Sequence, residues 1–490
     1  MHADALYSIG HPPAFYMYTS HELPLYHREL LACIRTAGRS EILDDQHTTG
    51  YWLHQQLVAH RARVWNAQHA TLVVVPFWMK VSWMVGTCND TDHLSRVRHM
   101  LQVLNATAQF RRHPRRHLLL SSSFMARQPP ATSFAHQRGV RTKCIGAWVG
   151  KPIDWQYFPR ETTYEHMARR LTISHMERYW PQLCNELIPA TNRSLYSRWP
   201  PPWWGSRTLV LPYVVDARTT RAAQAHERKH FDYKRWTQRP YSIFFAGNIM
   251  RIGGAVYVRL ALSSLNAWED ARIHCSGNDT ARWFYWLQEL QDYDIAVDAV
   301  AGVRRAIGGD DRGSTGTALR GSYCRPPITK HEVLETMRRS KFCLCPRGDS
   351  PSMSRVYFAM SVGCIPIIVS NPWTAMAAPF PGLFDFFEFA LHLPEADAIR
   401  SPLLSAQRLL ESTEARVVEE SGRKWLHVPP ADSPAAQPLR KRLAAMHRMH
   451  RAALWGLKGN ELIANLTLMS AWELVYQSRL PTIGLEKESR

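Results

Sequence analysis

The sequence predicts an α/β protein built of two parallel-sheet lobes, on three observations. Short, wholly apolar runs alternate along the chain with segments of helical spacing. The runs are β-branched and continuous, as in Leu72–Val75 and Ile365–Val369, which is how strands read when helices cover both faces. A strand, a glycine turn and a helix follow one another over residues 241–265, the unit that sets a helix N-terminus beside a ligand. The 490 residues suffice for two or three domains, and 45% hydrophobic with 21% charged content excludes disorder. Collagen, coiled coil, small disulfide scaffolds and mucin-like stalks are excluded by the same composition. Sixty Lys plus Arg against 41 Asp plus Glu give +19, a surface that favours acidic partners.

In order, residues 15–18 read as a strand and 19–24 as a polar turn. Leu53, Leu57, Val64 and Trp65 repeat at helical spacing and predict a helix over 51–68. Residues 71–76 predict a buried strand, 94–110 a helix and 117–121 another strand. The Pro-, Trp- and Arg-rich stretch 125–207 reads as an irregular insertion with one or two helices. A strand resumes at 208–212, and the polar stretch 217–239 reads as a helix or linker between lobes. The second lobe predicts strands at 241–246, 272–275, 342–345 and 365–369, with helices at 256–265, 331–339 and 353–362. Helical patterns at 439–449 and 462–476 close the chain. The expected division is 1–235, 236–400 and a helical tail 401–490.

No window is apolar enough to span a bilayer, and the first twenty residues lack the pattern of a signal peptide. Nine cysteines show no zinc spacing, and most are expected as buried thiols. Five of the 11 asparagines, Asn89, Asn105, Asn192, Asn278 and Asn465, stand in N-x-[ST] sequons. Chance places roughly one or two there, so the excess leans toward a secretory lumen.

The chemistry concentrates in residues 340–370, SKFCLCPRGDSPSMSRVYFAMSVGCIPIIVS. A buried strand ends at Cys345, a loop follows, a helix begins, and Gly363 ends that helix before the next strand. Ligands of α/β sheets bind at the carboxyl ends of strands, so this loop faces a substrate. Gly348 permits close backbone approach, and Ser350, Ser352 or Ser354 can cap the helix. Arg347 and Arg355 match a diphosphate in charge and geometry.

This segment resembles the exostosin family of glycosyltransferases, glycosyltransferase family 47, whose members carry a pattern like SKFCLCPxGDxPxSxRxxDAxxxGCIPVIxS. The resemblance extends to Phe244-Phe-Ala-Gly-Asn248 with Arg259, and to 378–395 including Pro394-Glu395. Weaker matches are Tyr16-Met-Tyr18, His21-Glu-Leu-Pro24, Val75-Pro-Phe-Trp78 and 111–117. It covers roughly residues 14–124 and 208–400. The resemblance implies a GT-B architecture, two Rossmann-like lobes facing across a cleft. It implies a nucleotide sugar, usually UDP-linked, on the C-terminal lobe, an acceptor on the N-terminal lobe, and inversion without a required metal or cofactor. The positions matching the family's donor site are Gly247, Asn248, Arg259, Arg347, Gly348, Asp349, Ser352, Ser354 and Arg355. Two positions depart from it. The family's acidic residue before Ala, expected at the donor ribose, falls at Phe358, and the Asp of its RxGGRDH element falls at Arg116.

An inverting transfer needs a general base. Glu22 after the first strand, and Asp92 or His93 beyond the VPFW strand, are the candidates. Asp292-Tyr-Asp294 is a short metal-nucleotide pattern, Gly253-Gly254 a possible phosphate turn, and Arg347-Gly-Asp349 an integrin-type tripeptide, which the loop assigns instead to the donor site. Arg96, Arg98, Arg111, Arg112, Arg115 and Arg116, interleaved with His99, His113 and His117, suggest either a groove for an acidic glycan or a solvated face. No nucleic-acid module is present. The expectation is an inverting glycosyltransferase acting from a UDP-sugar on a glycan or glycoprotein, an acidic one among the options, in a Golgi or endoplasmic reticulum lumen, with homo- and hetero-oligomers both open. The alternatives are an inactive relative that binds glycan or a partner subunit, and a soluble cytoplasmic protein.

Overall fold

The computed structural model describes residues 11–120, 172–175, 208–225, 227–248, 255–276, 325–347, 353–371, 373, 377–380, 383, 385–455 and 461–476. Six parallel strands form the first sheet: β1 (Phe15–Met17), β2 (Arg63–Val64), β3 (Leu72–Val75), β4 (His117–Leu119), β5 (Thr172–His175) and β6 (Thr208–Val210). Their order is β2-β1-β3-β4-β5-β6. The second sheet takes β7 (Tyr241–Asn248), β8 (Arg272–Ser276), β9 (Ser340–Pro346), β10 (Ile365–Val369) and β11 (Leu391–His392), in the order β11-β10-β9-β7-β8. All its pairings are parallel too. The α/β reading of the sequence therefore holds.

Burial explains the apolar runs. Leu72, Val73, Val74 and Val75 are all fully buried, and so are Ile365, Ile367, Ile368 and Val369. A strand buried on both faces shows no alternation. In both sheets the strand order reverses once, between β1 and β3 and between β9 and β7. A crevice at the carboxyl ends opens at such a reversal.

Four expectations change. The helix expected over 51–68 spans only Thr49–Val58. His60 ends it: its ring Nδ1 accepts from Ala62 N and its carbonyl from Arg63 N, turning the chain into β2. Trp65, counted as part of the apolar stripe, is 75% exposed with the Arg63 guanidinium 4.1 Å from its ring centre. The stretch 125–207, expected irregular, contributes β5, which pairs with β4 and β6 inside the sheet. The segment 217–239, expected as a helix or linker, is helical but less polar in its surroundings than the sequence suggested. It forms helices at Ala217–Ala225, Glu227–His230 and Tyr233–Thr237, and it buries Phe231, Tyr233 and Trp236. The exposed hairpin β12 (Arg416–Glu420) with β13 (Arg423–His427) gave no signal, because its residues alternate too weakly.

Cysteines are the fourth correction. Cys33 bridges to Cys88 and Cys343 to Cys364, and Cys275 is also disulfide-bonded. Cys343 lies opposite Pro366 in the β9–β10 pair, so Cys364 sits just outside the neighbouring strand, within bridging reach. Among the described residues Cys345 alone keeps a free, buried thiol.

Arg239 ties the lobes' junction together. Its buried guanidinium donates to the carbonyls of Ser340, Gly363, His230 and Val362 at 2.8–3.0 Å. Gly363 has φ +68°, and a Cβ there would stand 2.2 Å from His230 O. No other residue fits that turn without displacing the backbone Arg239 holds. The helix Leu462–Tyr476 returns to the first sheet: Asn465 Oδ1 bonds His60 Nε2 at 3.0 Å, and Tyr476 donates to Thr71 O.

Three histidines are packed in their neutral form. Trp78 Nε1 donates to His54 Nδ1 at 3.1 Å, which only an unprotonated nitrogen accepts, and His27 stacks on Trp78 with ring centres 4.0 Å apart. His117 lies between Tyr18 OH and His113 O. Burial pushes His27 and His117 down to about 4 and His54 to about 3. Folded values lie below the unfolded value, so this stability is complete above about pH 6.5 and declines as pH falls toward 4. At about pH 5 the loss approaches 2 kcal/mol per histidine. Urea unfolding should therefore show a clearly lower midpoint at about pH 5 than at about pH 7.5; equal midpoints would contradict this packing.

Candidate active site

A cavity of about 920 Å³ lies at the carboxyl ends of β7 and β8, where the helix after β9 also begins. Ala246 and Gly247 come from β7, and His274, Cys275 and Ser276 from β8. Ser354, Arg355 and Phe358 come from the start of the helix Arg355–Ser361. Thr329, Lys330 and His331 open the helix Lys330–Arg338 on the same wall. The first lobe and the junction also contribute: Asp44, Asp45, Gln46, Val214, Asp216 and Thr219. The lining thus holds both cations, Arg355 and Lys330, and carboxylates, Asp44, Asp45 and Asp216.

Arg355 is the best-fixed cation of the lining. Its Nη2 donates to Ala246 O, and its guanidinium carbon lies 4.6 Å from the Phe245 ring centre. Gly247 makes room for both: a Cβ there would stand 2.8 Å from Phe245 Cζ and 3.0 Å from Arg355 Nη2. Burial lowers the pKa of Arg355, yet an arginine stays protonated. A pre-oriented guanidinium fork suits a diphosphate.

The other predicted donor residues divide by role. Arg259 donates to Asn248 O at 2.6 Å and to Arg347 O at 3.1 Å. It staples together the chain after β7 and the chain after β9. Arg347 gives its Nε to Glu395 Oε2 at 2.9 Å, and Glu395 is held in turn by Asn371 N. That pairing already spends much of its charge, so Arg347 and Arg355 are not the equal pair the sequence suggested. Gly348, Asp349 and Ser352 lie outside the described residues, as do Gly253-Gly254 and Asp292-Tyr-Asp294. Phe358 stands on the cavity wall among Ile328, Val333 and Leu334, making that part of the wall apolar.

None of the three base candidates lines this cavity. Glu22 binds Tyr16 OH, Thr19 N and Thr19 Oγ1, which closes the turn after β1. Asp92 caps the helix His93–Ala106 by accepting from Ser95 N at 2.7 Å, and that bond lowers its pKa. His93 is buried against Ser82 Oγ at 3.0 Å. Of the carboxylates that do line the cavity, Asp44 and Asp45 end a single 3₁₀ turn at Ser40–Asp44. Sequence reasoning missed them because Ile42-Leu-Asp-Asp45 matches no motif. Asp45 Oδ1 accepts from His47 N at 2.9 Å. Asp216 caps the helix at Ala217 through Thr219 N and lies 3.5 Å from the exposed Lys330 ammonium. His274 Nδ1 bonds Pro326 O at 2.7 Å, and burial lowers its pKa, leaving Nε2 an acceptor.

The basic cluster also divides. Arg96 is fully buried and holds Ser82, Thr91 and Gly86, while Arg116 stacks 5.7 Å from the Tyr476 ring centre. His117 is buried, and Arg98, Arg111, Arg112 and Arg115 are exposed. These residues do not form one groove. Among the described residues no group of His, Cys, Asp or Glu is arranged to hold a metal, and no helix is long and apolar enough to cross a membrane.

A family model, the Exostosin GT47 domain, matches residues 11–408. A probable arabinosyltransferase, ARAD1, of Arabidopsis thaliana is 34% identical over 83 residues, 17% of this chain and 18% of its own length. The xyloglucan-specific galacturonosyltransferase 1 of the same plant is 36% identical over 63 residues, 13% of this chain and 8% of its own. The exostosin-1 homolog of Caenorhabditis elegans is 34% identical over 89 residues, 18% of this chain and 21% of its own. The matches thus span about a fifth or less of these relatives. The Candida albicans trehalose-6-phosphate phosphatase N-terminal domain aligns over 95% of this chain and 96% of its own, at 8% identity and a TM-score of 0.35, too slight to carry an argument.

Proposed function

The chain belongs to the exostosin GT47 family, and on that premise we propose that it is an inverting glycosyltransferase of GT-B architecture using a UDP-sugar. The observation that carries this reading is the cavity lining: Arg355, fixed over Gly247 at the strand ends, shares one cavity with the carboxylates Asp44 and Asp45. The Arg355 guanidinium would bind the donor diphosphate. The acceptor hydroxyl oxygen would attack the anomeric carbon while the bond to the diphosphate breaks. Asp44 or Asp45 would take the hydroxyl proton, and UDP would leave with the bonding electrons, its charge stabilised by Arg355. Residues 1–235 would hold the acceptor and 236–400 the donor, with 401–490 bracing both. Three disulfide-bonded sites support an oxidising lumen such as the Golgi or endoplasmic reticulum.

The carboxylates of the lining argue for an acceptor that is neutral at the reacting sugar, against the acidic acceptor that net charge suggested. Phe358 supports the second reading, an inactive relative that binds glycan, because an apolar ring cannot accept from a ribose hydroxyl. Calorimetric titration with UDP, followed by UDP release from a panel of UDP-sugars, decides between them. Binding with release supports the enzyme; no UDP binding at millimolar concentration overturns the donor assignment.

A further inference from the structure

We propose that Asn89 carries an N-linked glycan, and that the equally well-formed sequon at Asn465 does not. Three of the five sequons fall among described residues, and they differ sharply in surroundings. Asn465 lies inside the helix Leu462–Tyr476, its amide oxygen on His60, and the sequon's Thr467 is fully buried and donates to Ile463 O at 2.6 Å. A glycan there would sit between the returning helix and the first sheet. Asn105 is half-buried in the last turn of His93–Ala106, with Thr107 bonded back to Val103 O.

Asn89 is exposed at the tip of a turn whose base is anchored. Cys88 and Thr91 exchange backbone hydrogen bonds, both 3.0 Å. Cys88 is disulfide-bonded to Cys33, and the buried Arg96 donates to Thr91 O and Gly86 O from below. Asn89 and Asp90 have φ +47° and +61°, the left-handed pair of a tight turn, which directs the tip away from the body. A bulky, hydrophilic group fits there without displacing a core contact. The turn itself favours Asn at a left-handed position, but it asks nothing of residue 91. Thr91 turns the Asn into a sequon, and its hydroxyl donates to Asn89 O at 3.3 Å.

The disulfides supply the second, independent observation, since bridges form in the compartment where such transfer occurs. The donor is an oligosaccharide linked through diphosphate to a lipid. The Asn89 amide nitrogen bonds the sugar's anomeric carbon, the carbon–oxygen bond to the diphosphate breaks, the lipid diphosphate leaves, and the amide gives up one proton.

The test is secretion of the full chain from a eukaryotic host, followed by release with a peptide N-glycosidase, an amidase that hydrolyses glycosylated Asn to Asp, in heavy-oxygen water and peptide mass spectrometry. Asn89 should be converted and labelled in most molecules and Asn465 in almost none. Thr91→Ala should abolish the Asn89 label without lowering the thermal midpoint, and Thr91→Ser should retain it. Asn89→Gln also removes the label, but alters the left-handed turn, so Thr91→Ala is the cleaner variant. An unlabelled Asn89 in secreted, folded protein overturns the proposal, as does labelling at Asn465 in most molecules. None of this depends on sugar-transfer activity.

Discussion

Arg355→Ala should lower affinity for UDP by about a hundredfold or more, because on the proposed donor site it removes two charge-assisted hydrogen bonds to the diphosphate, worth about 1.5–3 kcal/mol each. The site is built around this one side chain. Gly247 is glycine because the guanidinium and the Phe245 ring occupy the space of its Cβ. Alanine also leaves Ala246 O without its donor, at about 1–3 kcal/mol of stability, so a thermal melt must accompany the titration. Arg355→Lys separates charge from geometry. It keeps the cation but loses the fork, and it should recover only part of the lost affinity. Arg347→Ala should cost less, since Glu395 already pairs with that guanidinium, and Arg112→Ala on the exposed surface should leave UDP affinity unchanged. Unaltered UDP binding in a folded Arg355→Ala protein would remove Arg355 from the donor site.

How much of this was legible depended on how local the signal was. The strands at 72–75 and 365–369 and the helix at 462–476 stood out, because continuous burial and a long, nearly all-round apolar run are written in neighbouring residues. Gly247 and Arg355 were legible as motif positions, but their mutual contact was not. It joins residues 108 apart in sequence, and only the β7–β9 pairing makes them neighbours. Arg96 and Arg347 show the opposite failure. Counted as free charge, each is spent on internal partners, one on backbone carbonyls and one on Glu395. The cysteines misled for a related reason, since spacing along the chain does not reveal that Cys364 sits beside Cys343 across two strands.

The base was the least legible part, and its test is the second large effect. Asp44→Asn with Asp45→Asn should lower kcat by about 10²–10⁴-fold, the usual contribution of a positioned proton acceptor. UDP affinity should change little, because the proposed diphosphate contact is to Arg355 and not to these carboxylates. The single variants apportion the role. Asp45 has one oxygen engaged by His47 N, so Asp45→Asn also tests whether that turn is what holds the acceptor wall. A true base removes the acid limb of the kcat profile along with the rate, whereas a merely structural carboxylate lowers the rate with the profile's shape intact. Glu22→Gln, on a turn outside the cavity, should leave turnover within about twofold and serves as the control. Wild-type turnover in the double variant would place the proton acceptor elsewhere, and with the expected bases Glu22, Asp92 and His93 all engaged outside the cavity, Asp216 in the same cavity would be next to examine.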